Sequence, residues 1–448
     1  MNKAGVLTRL KTADKSGTKE KLGSNSIIES IKENGAVFLM AFMFIFGTVI
    51  SLVAGIPIEQ IKSNYSYDVL AILVFMELFT NLVAKTGIMQ KAAVLLAGLS
   101  KGRKKLLLLF FGVFMFLVSC GLNNITAVMM ILPVVFVLLK TMECDEKYIG
   151  LFFATILALS NTGGAASPVG DFPAIVIMTS GIISAREYLF HAFPLFLVTS
   201  IVLLAIWIGR VQKEDNDDGI RKLAILNLKS QYRNVKVRKD AIIYLFVFGA
   251  MFFAWMFVPR NILPPDWVAV LGFMGAAAIR GLIKGKISFD HNLKSLLTTA
   301  SFLFFAEVVS ETGVLSVVAN YLQTHISDPK LLIIAVMLIT SIIAGVFSAG
   351  PAAAAMMPII VNICNMPEFS GKSEWIAVAY AAAICAGSSM FMWSATAGFI
   401  LAGKVNEAKI RTDEGLYVKW GVRQYFGCGL VDYAVQISVA ILAMLLIL

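Results

Sequence analysis

Apolar stretches alternate with short charged segments along the whole chain. A helix needs roughly 17–25 apolar residues to cross a bilayer, and positions 36–54, 188–208, 241–258 and 421–448 each supply such a run. Further crossings are expected near 69–84, 148–180, 265–283, 295–310 and 375–403. Two other segments, 105–140 and 329–364, read as hairpins that enter the membrane and return to the side they came from. The predicted class is an all-α polytopic membrane protein.

The interruptions of this pattern repeat. C-G-L-N-N-I-T-A-V-M-M-I-L-P ends at Pro133 and is followed by S-N-T-G-G-A-A-S-P-V-G-D, ending at Asp171. Later in the chain, V-F-S-A-G-P-A-A-A-A-M-M-P ends at Pro358, and C-A-G-S-S-M-F-M-W-S-A-T ends at Thr396. Pro358 lies 225 positions after Pro133, and the same offset sets Thr396 opposite Asp171. Thr86-Gly87 and Thr312-Gly313 hold the register to within one residue. Asn123-Asn124, Gly163-Gly164, Pro168, Gly170 and Pro173 all penalise a continuous helix. Non-helical backbone inside hydrocarbon survives only where it is buried in protein or lines a cavity. Matched breaks in two apolar halves therefore predict two inverted-topology repeats, with re-entrant hairpins and broken transmembrane helices around a mid-membrane site.

Composition agrees with a bilayer environment. Of 448 residues, 58% are hydrophobic and 15% charged, with a mean hydropathy of +0.81, far outside soluble averages. The net charge of +10 has a location. Of 38 Lys and Arg, 33 fall in 1–34, 85–105, 140–147, 210–239, 280–294 and 404–423, which the predicted crossings put on one side. The positive-inside rule makes that side the cytoplasm. The excess thus faces anionic lipid, and nucleic acid is not an expected partner. The expected boundaries are a cytoplasmic N-terminal tail at 1–34, a first repeat at 35–209, a cytoplasmic linker at 210–240, a connecting transmembrane helix at 241–260, and a second repeat with the C-terminal helix at 261–448. The polar, lysine-rich tail lacks the early apolar core of a secretion leader, which fits direct insertion into a bacterial inner membrane with a cytoplasmic N-terminus.

The breaks carry the candidate chemistry. A broken helix turns N–H groups toward anions and unwound carbonyls toward cations. Asn123, Asn124, Thr126, Ser160, Asn161 and Thr162 add side-chain oxygens, the ligand type of small alkali cations, so a cation site in the first half is expected. Carboxylates at the bilayer centre cost about 2.5–3.5 kcal/mol each unless paired or hydrated, so they read as functional. Asp171, inside a motif, is the leading candidate, followed by Glu307; Glu77 reads as a helix contact and Asp432 as peripheral near the cytoplasmic end. Five scattered cysteines without a C-x-x-C and three histidines on no common face suggest no metal centre, disulfide framework or cofactor. No Ser/Lys, paired-Asp or His-metal arrangement of an intramembrane enzyme is apparent.

S-N-T-G-G-A-A-S-P-V-G-D resembles the signature of the ion transporter superfamily, especially the arsenite-permease and NhaD-type sodium/proton antiporter group. N-N-I-T-A-V-M-M-I-L-P is similar to the hairpin tips of those antiporters and of the divalent-anion/sodium symporters. The resemblance covers most of residues 36–435 and implies two five-element inverted repeats, a rigid transport domain moving against a scaffold, and a homodimer. By position it implies a first cation site at Asn123, Asn124, Thr126, Ser160, Asn161, Thr162, Gly163, Gly164, Gly170 and Asp171, with Na+ at Asn123, Asn124, Ser160 and Thr162. The second half would supply Ser348, Gly350, Pro351, Ser388, Ser389, Ser394 and Thr396. Where the antiporters carry Asp-Asn at the first tip this chain has Asn123-Asn124, and the second tip has Ala349-Gly350. Both tip carboxylates are missing, which leaves Asp171 or Glu307 to exchange a proton for a cation. No Lys or Arg stands in the predicted core, so an anion would depend on helix N-termini. The expectation is a secondary transporter of a small ion or solute, read first as a cation/proton antiporter of elevator type. The alternative is sodium- or proton-coupled transport of a small carboxylate or an oxyacid such as arsenite.

Overall fold

A computed structural model describes residues 40–211, 218–238, 240–284, 293–326 and 328–447. The expected tail at 1–34 lies outside the described residues. Within them the chain is helical, apart from one isolated antiparallel bridge between Arg411 and Tyr417. The first half holds α1 (Met40–Val53), α2 (Ile58–Asn64), α3 (Tyr67–Ala84), α4 (Ile88–Ser100), α5 (Lys104–Ser119), α6 (Asn124–Met142), α7 (Glu146–Ala165), α8 (Phe172–Ser180) and α9 (Ala185–Arg210). Next come α10 (Asp218–Gln231) and α11 (Asp240–Phe257). The second half holds α12 (Pro265–Lys284), α13 (Leu293–Glu311), α14 (Val314–His325), α15 (Pro329–Phe347), α16 (Ala349–Cys364), α17 (Ser373–Met390), α18 (Gly398–Ala408) and α19 (Val422–Ile447).

Seven of these, α3, α6, α7, α9, α11, α15 and α19, are long and apolar enough to cross a membrane. The chain is an integral membrane protein. Two of the seven, α6 and α15, are arms of the expected hairpins. The helices at the expected crossings 265–283 and 295–310 are α12 and α13; they carry Asp266 and Arg280, and Glu307 and Glu311, and are not among the seven. Exposed Ile45, Leu52, Val53, Ile242, Phe246 and Leu446 give the outer helices an apolar surface suited to lipid tails. By contrast, α7 is buried from Leu151 through Ala165 and α17 from Ile376 through Ser389, so these two form the centre. The linker is more ordered than its polar composition suggests. Within it α10 packs on α6, Asn227 Nδ2 donates to Thr141 Oγ1 at 3.1 Å, and Tyr232 O accepts from Lys91 Nζ at 3.1 Å.

The breaks follow from local chemistry. Asp145 caps the start of α7, accepting from Tyr148 N at 3.1 Å. The helix stops at Ala165 because Pro168 excludes the helical region for Ser167 and lacks an N–H. It resumes as α8 behind Asp171, with Pro173 in the first turn, where a missing N–H costs nothing. Gly181, at φ 78°, ends that piece, and a Ser184/Glu187 capping box starts α9. The second-half break, between α17 and α18, has no proline, and α18 starts behind Ala397 without a side-chain cap.

Apart from α2, which has no counterpart among the described residues, helix order matches between the halves. Pro133 is the tenth residue of α6 and Pro358 the tenth of α16. Thr86 Oγ1 and Thr312 Oγ1 each donate to the carbonyl three residues earlier at 2.6 Å, and the following Gly87 and Gly313 take φ of 78° and 73°. Thus the Thr-Gly pairs do the same work twice, ending α3 and α13 and starting α4 and α14. The first helix of each half packs against the other half. Phe44 and Phe46 of α1 meet Phe304 and Phe305 of α13, while Phe273 of α12 meets Phe75 of α3. Likewise α8 packs on α16, and α18 on α6.

The closest approaches are made at glycine. A Cβ on Gly163 would collide with the Phe116 backbone, and one on Gly387 with the Ser341 backbone. Phe116 and Ser341 are again 225 positions apart. Each glycine lets a first hairpin arm (α5 or α15) lie directly on a central helix. Because the obstacle is backbone, it cannot swing aside, and overpacking of this kind costs about 1–3 kcal/mol or more. Gly163→Ala and Gly387→Ala are each expected to lower the thermal unfolding midpoint of the purified protein. In contrast, Gly249→Ala in α11, whose Cβ would meet nothing within 4 Å, is expected to leave it unchanged or slightly raised. Equal midpoints for all three variants would contradict this packing.

Candidate functional site

Four helix N-termini converge on one cavity of about 420 Å³. Asn123 and Ile125 bring the start of α6 to its wall; Gly170, Asp171 and Phe172 bring the start of α8. From the second half, Ser348, Gly350 and Pro351 mark the start of α16, and Thr396 with Phe399 the start of α18. Leu73, Met76 and Glu77 of α3 and Phe302 of α13 close the other side. Hairpin tips and helix breaks of both halves therefore meet, as the paired motifs predict. The described wall contains two carboxylates, Asp171 and Glu77, and no Lys or Arg.

Local bonding holds the helix ends in this arrangement. Asn123 Oδ1 accepts from Ile125 N at 3.0 Å and Asp171 Oδ1 from Phe172 N at 2.9 Å, each occupying one N–H that the helix start leaves unpaired. The Asn124 side chain is 1% exposed, and neither its Oδ1 nor its Nδ2 makes a hydrogen bond. A Cβ on Gly164 would stand 2.6 Å from Asn124 Oδ1 and 3.0 Å from Asp171 Cβ, so only glycine there lets the amide and the acid approach one another. Gly170 is equally constrained, its Cβ direction facing the carbonyls of Gly164 and Ser119 at 2.6 Å. At the second tip a single residue, Ser348, joins α15 to α16 with φ 83° and ψ 163°. That conformation belongs almost entirely to glycine and costs about 1–3 kcal/mol. Ser348 Oγ donates to Ser394 O at 3.0 Å, tying the strained tip to the second break.

The open ends of the central helices are closed by matching tyrosines. Tyr188 Oη donates to Ala165 O and Tyr425 Oη to Ser389 O, both at 2.7 Å and both fully buried. Ala165 ends α7 and Ser389 nearly ends α17; Tyr188 and Tyr425 stand in the first turn of α9 and α19. Ser394 Oγ faces the Ser388 and Phe391 carbonyls at 3.0 and 2.9 Å, and the Ser167 hydroxyl donates to Cys120 O. Pairing the freed carbonyls makes a break in the low-dielectric centre tolerable.

Several expected site residues stand apart from the cavity. Ser160 Oγ donates back to Leu157 O at 2.7 Å, and Thr162 Oγ1 to Ala158 O at 3.2 Å while accepting from Ser200 at 3.0 Å. Hydroxyls on a helix often return to the preceding turn in this way. The four residues expected around Na+ are thus not assembled at the cavity: Asn123 lines it, Asn124 lies behind Gly164 and Asp171, and Ser160 and Thr162 face the interior of α7. Thr126 lies outside the wall, Gly163 serves packing, and Ser388 donates to Cys385 O at 3.1 Å. Asn161 and Ser389 bond each other, Nδ2 to Oγ at 3.1 Å, across α7 and α17. Glu307 faces a separate cavity of about 390 Å³ with Asp68, Ser310 and Asn362. Glu77, expected as a helix contact, lines the cavity; on α3 it stands one turn from Leu73 on one side and from Asn81 on the other. Asp432 needs correction as well. It is 1% exposed and bonded by Gln436 Nε2 at 2.7 Å, because α19 packs along α17 and carries it inward.

The sequence matches the CitMHS family, described as citrate transporter, over residues 26–385. An uncharacterized transporter of Mycobacterium tuberculosis (strain ATCC 25618 / H37Rv) is 23% identical over 365 residues, covering 77% of this chain and 80% of its own. The magnetosome protein MamN of Paramagnetospirillum magneticum is 22% identical over 406 residues, 86% of this chain and 89% of its own. Sodium/proton antiporter 2 of Arabidopsis thaliana is 24% identical over 318 residues, 68% of this chain and 71% of its own.

The tyrosine closures can be tested directly. Tyr188→Phe and Tyr425→Phe each remove a donor from a buried carbonyl, a loss of about 1–3 kcal/mol. Both are expected to lower the unfolding midpoint by similar amounts, the common effect following from their matching positions. A loss in one variant alone would contradict the equivalence.

Proposed function

We propose, from the premise that this chain belongs to the CitMHS citrate-transporter family and is a secondary transporter rather than an enzyme, that it carries a small carboxylate anion together with a cation, sodium or a proton. The observation behind this reading is the cavity where four helix N-termini meet two carboxylates and no basic side chain. Each N-terminus acts as about +0.5 of a charge, so four contribute roughly +2. Asp171 and Glu77 bring a comparable negative charge. An anion entering alone meets little net attraction, whereas one accompanied by a cation, or by protonation of an acid, meets a clear positive balance. Coupling then follows from electrostatics: the second species is needed for the first to bind.

The rest of the proposal concerns movement. The two halves form repeats of opposite orientation, the hairpins re-enter the membrane, and α5–α9 with α15–α19 make a transport unit. That unit slides against a scaffold of α1–α3 and α11–α13, carrying the cavity between the two sides. Support comes from the walls of the cavity, which draw on both groups: helix starts from one, Glu77 and Phe302 from the other.

A second reading, cation/proton exchange, is favoured by the two carboxylates on one cavity wall, whose described lining holds no Lys or Arg. There Asp171 and Glu77 would hold a cation and protons in alternation. It is also the activity named for the Arabidopsis relative.

Reconstituted proteoliposomes separate the readings. With an inward sodium or proton gradient, labelled citrate and smaller carboxylates are expected to accumulate. Asp171→Asn or Glu77→Gln should cut the initial rate at least about tenfold, the equivalent of 1.4 kcal/mol. Carboxylate uptake untouched by both substitutions would remove their assigned role. Sodium-driven proton movement with no carboxylate uptake would establish the exchange reading instead.

A further inference from the structure

Behind the broken helices lies a second polar cluster, away from the cavity. Asp432 of α19 is 1% exposed, Gln436 2% and Asn161 of α7 1%. Gln436 Nε2 donates to Asp432 Oδ1 at 2.7 Å, and Asn161 Nδ2 to Ser389 Oγ at 3.1 Å. The Ser389 hydroxyl also lies within reach of the Asp432 carboxylate, without closing a hydrogen bond to its Oδ2. Four side chains from α7, α17 and α19 thus form one contiguous group. Three of its oxygens, Asp432 Oδ2, Gln436 Oε1 and Asn161 Oδ1, have no donor.

All three unpaired atoms are acceptors, and one belongs to a carboxylate with no ion pair among the described residues. Leaving a buried acceptor unmet costs about 1–3 kcal/mol, and more for a charged one. Gln436 gives one N–H to Asp432 and Asn161 one to Ser389, and no described donor reaches the three oxygens. A proton on Asp432 could reach one further acceptor and would leave another unmet. One hard monovalent cation can satisfy several oxygens at once and neutralise the carboxylate. We propose that Asp432, Gln436, Asn161 and Ser389 form an alkali-cation site, suited to sodium, separate from the transport cavity. An open cavity of about 730 Å³ is lined by Gln424 and Cys428, and Cys428 stands four residues, about one turn, before Asp432 on α19.

The site is independent of which solute the cavity carries, so its test is a binding measurement on the purified full-length protein. Equilibrium binding of radiolabelled sodium is measured in the Asp171→Asn/Glu77→Gln double variant, where both acids of the transport cavity are removed. Residual binding of one sodium per chain is expected, displaced by unlabelled sodium or lithium and not by choline. Adding Asp432→Asn should abolish it, and adding Asn161→Ala should weaken it about tenfold or more, the change equivalent to 1.4 kcal/mol. If Asp432→Asn does not give a monodisperse protein, Asn161→Ala decides by the same criterion. No residual binding in the double variant, or residual binding that survives these further substitutions, overturns the site while leaving the transport reading to its own flux assay.

Discussion

Everything in this fold answers to the rule that a backbone polar group in hydrocarbon must find a partner inside the protein. Two central helices stop in mid-course, and stopping frees carbonyls that water cannot reach. The chain meets the need locally. Tyr188 and Tyr425 close the ends of α7 and α17, Ser394 and Ser167 close loop carbonyls, and Asn123 and Asp171 take N–H groups at restarting helices. Groups left over face the cavity, which is where a solute would meet them. The same constraint fits the deep burial of α7 and α17: helix ends that need closing lie where neighbouring side chains reach them.

Close packing turns that requirement into a unit. Gly163 and Gly387 let α5 and α15 lie on the central helices at backbone contact, and Gly164 and Gly170 do the same at the first break. Side chains cannot slip past such contacts, so hairpin, broken helix and following helix are held as a group in each half. The interfaces with α3 and α13 are different in kind, made of Leu73, Met76, Phe302 and other flexible apolar side chains around open volumes. Backbone contact on one side and a cavity-bearing apolar seam on the other is the contrast from which the proposed movement is argued.

Much of this was legible in the chain because breaks have local causes. Pro133 and Pro358, the Thr-Gly turns and the Gly/Pro clusters occupy the places in the fold that their spacing predicts. Convergence of Asn123, Gly170, Asp171, Ser348, Gly350, Pro351 and Thr396 on one cavity was legible too, since both halves share one pattern. Side-chain direction was not. Ser160 and Thr162 look like ligands in sequence, yet a hydroxyl on a helix has the preceding carbonyl within reach, and nothing in the spelling of a motif says which it takes. Asp432 misled for a related reason: a four-residue spacing to Gln436 fixes a shared face of α19, but only packing against α17 reveals that the face points inward. Glu77 was obscured by apolar neighbours, and α10 by a polar composition that suits a surface helix as well as a loop.

The two polar centres are joined through the end of one helix. Asn161, in the rear cluster, and Gly164, which seats Asn124 beside Asp171, are three residues apart on α7, about one turn or 5 Å along its axis. Ser200 holds Thr162 between them, and Tyr188 fixes the carbonyl where the helix ends. A cation that drew Asn161 toward Asp432 would pull on the same turn that positions the Asn124 and Asp171 side chains. Gly163 in the same turn lies directly on the Phe116 backbone. The last turn of α7 therefore lies between the proposed cation site and the cavity, and the end of α17 makes a second link, from Ser389 through Ser388 and Ser394 to Ser348 on the cavity wall.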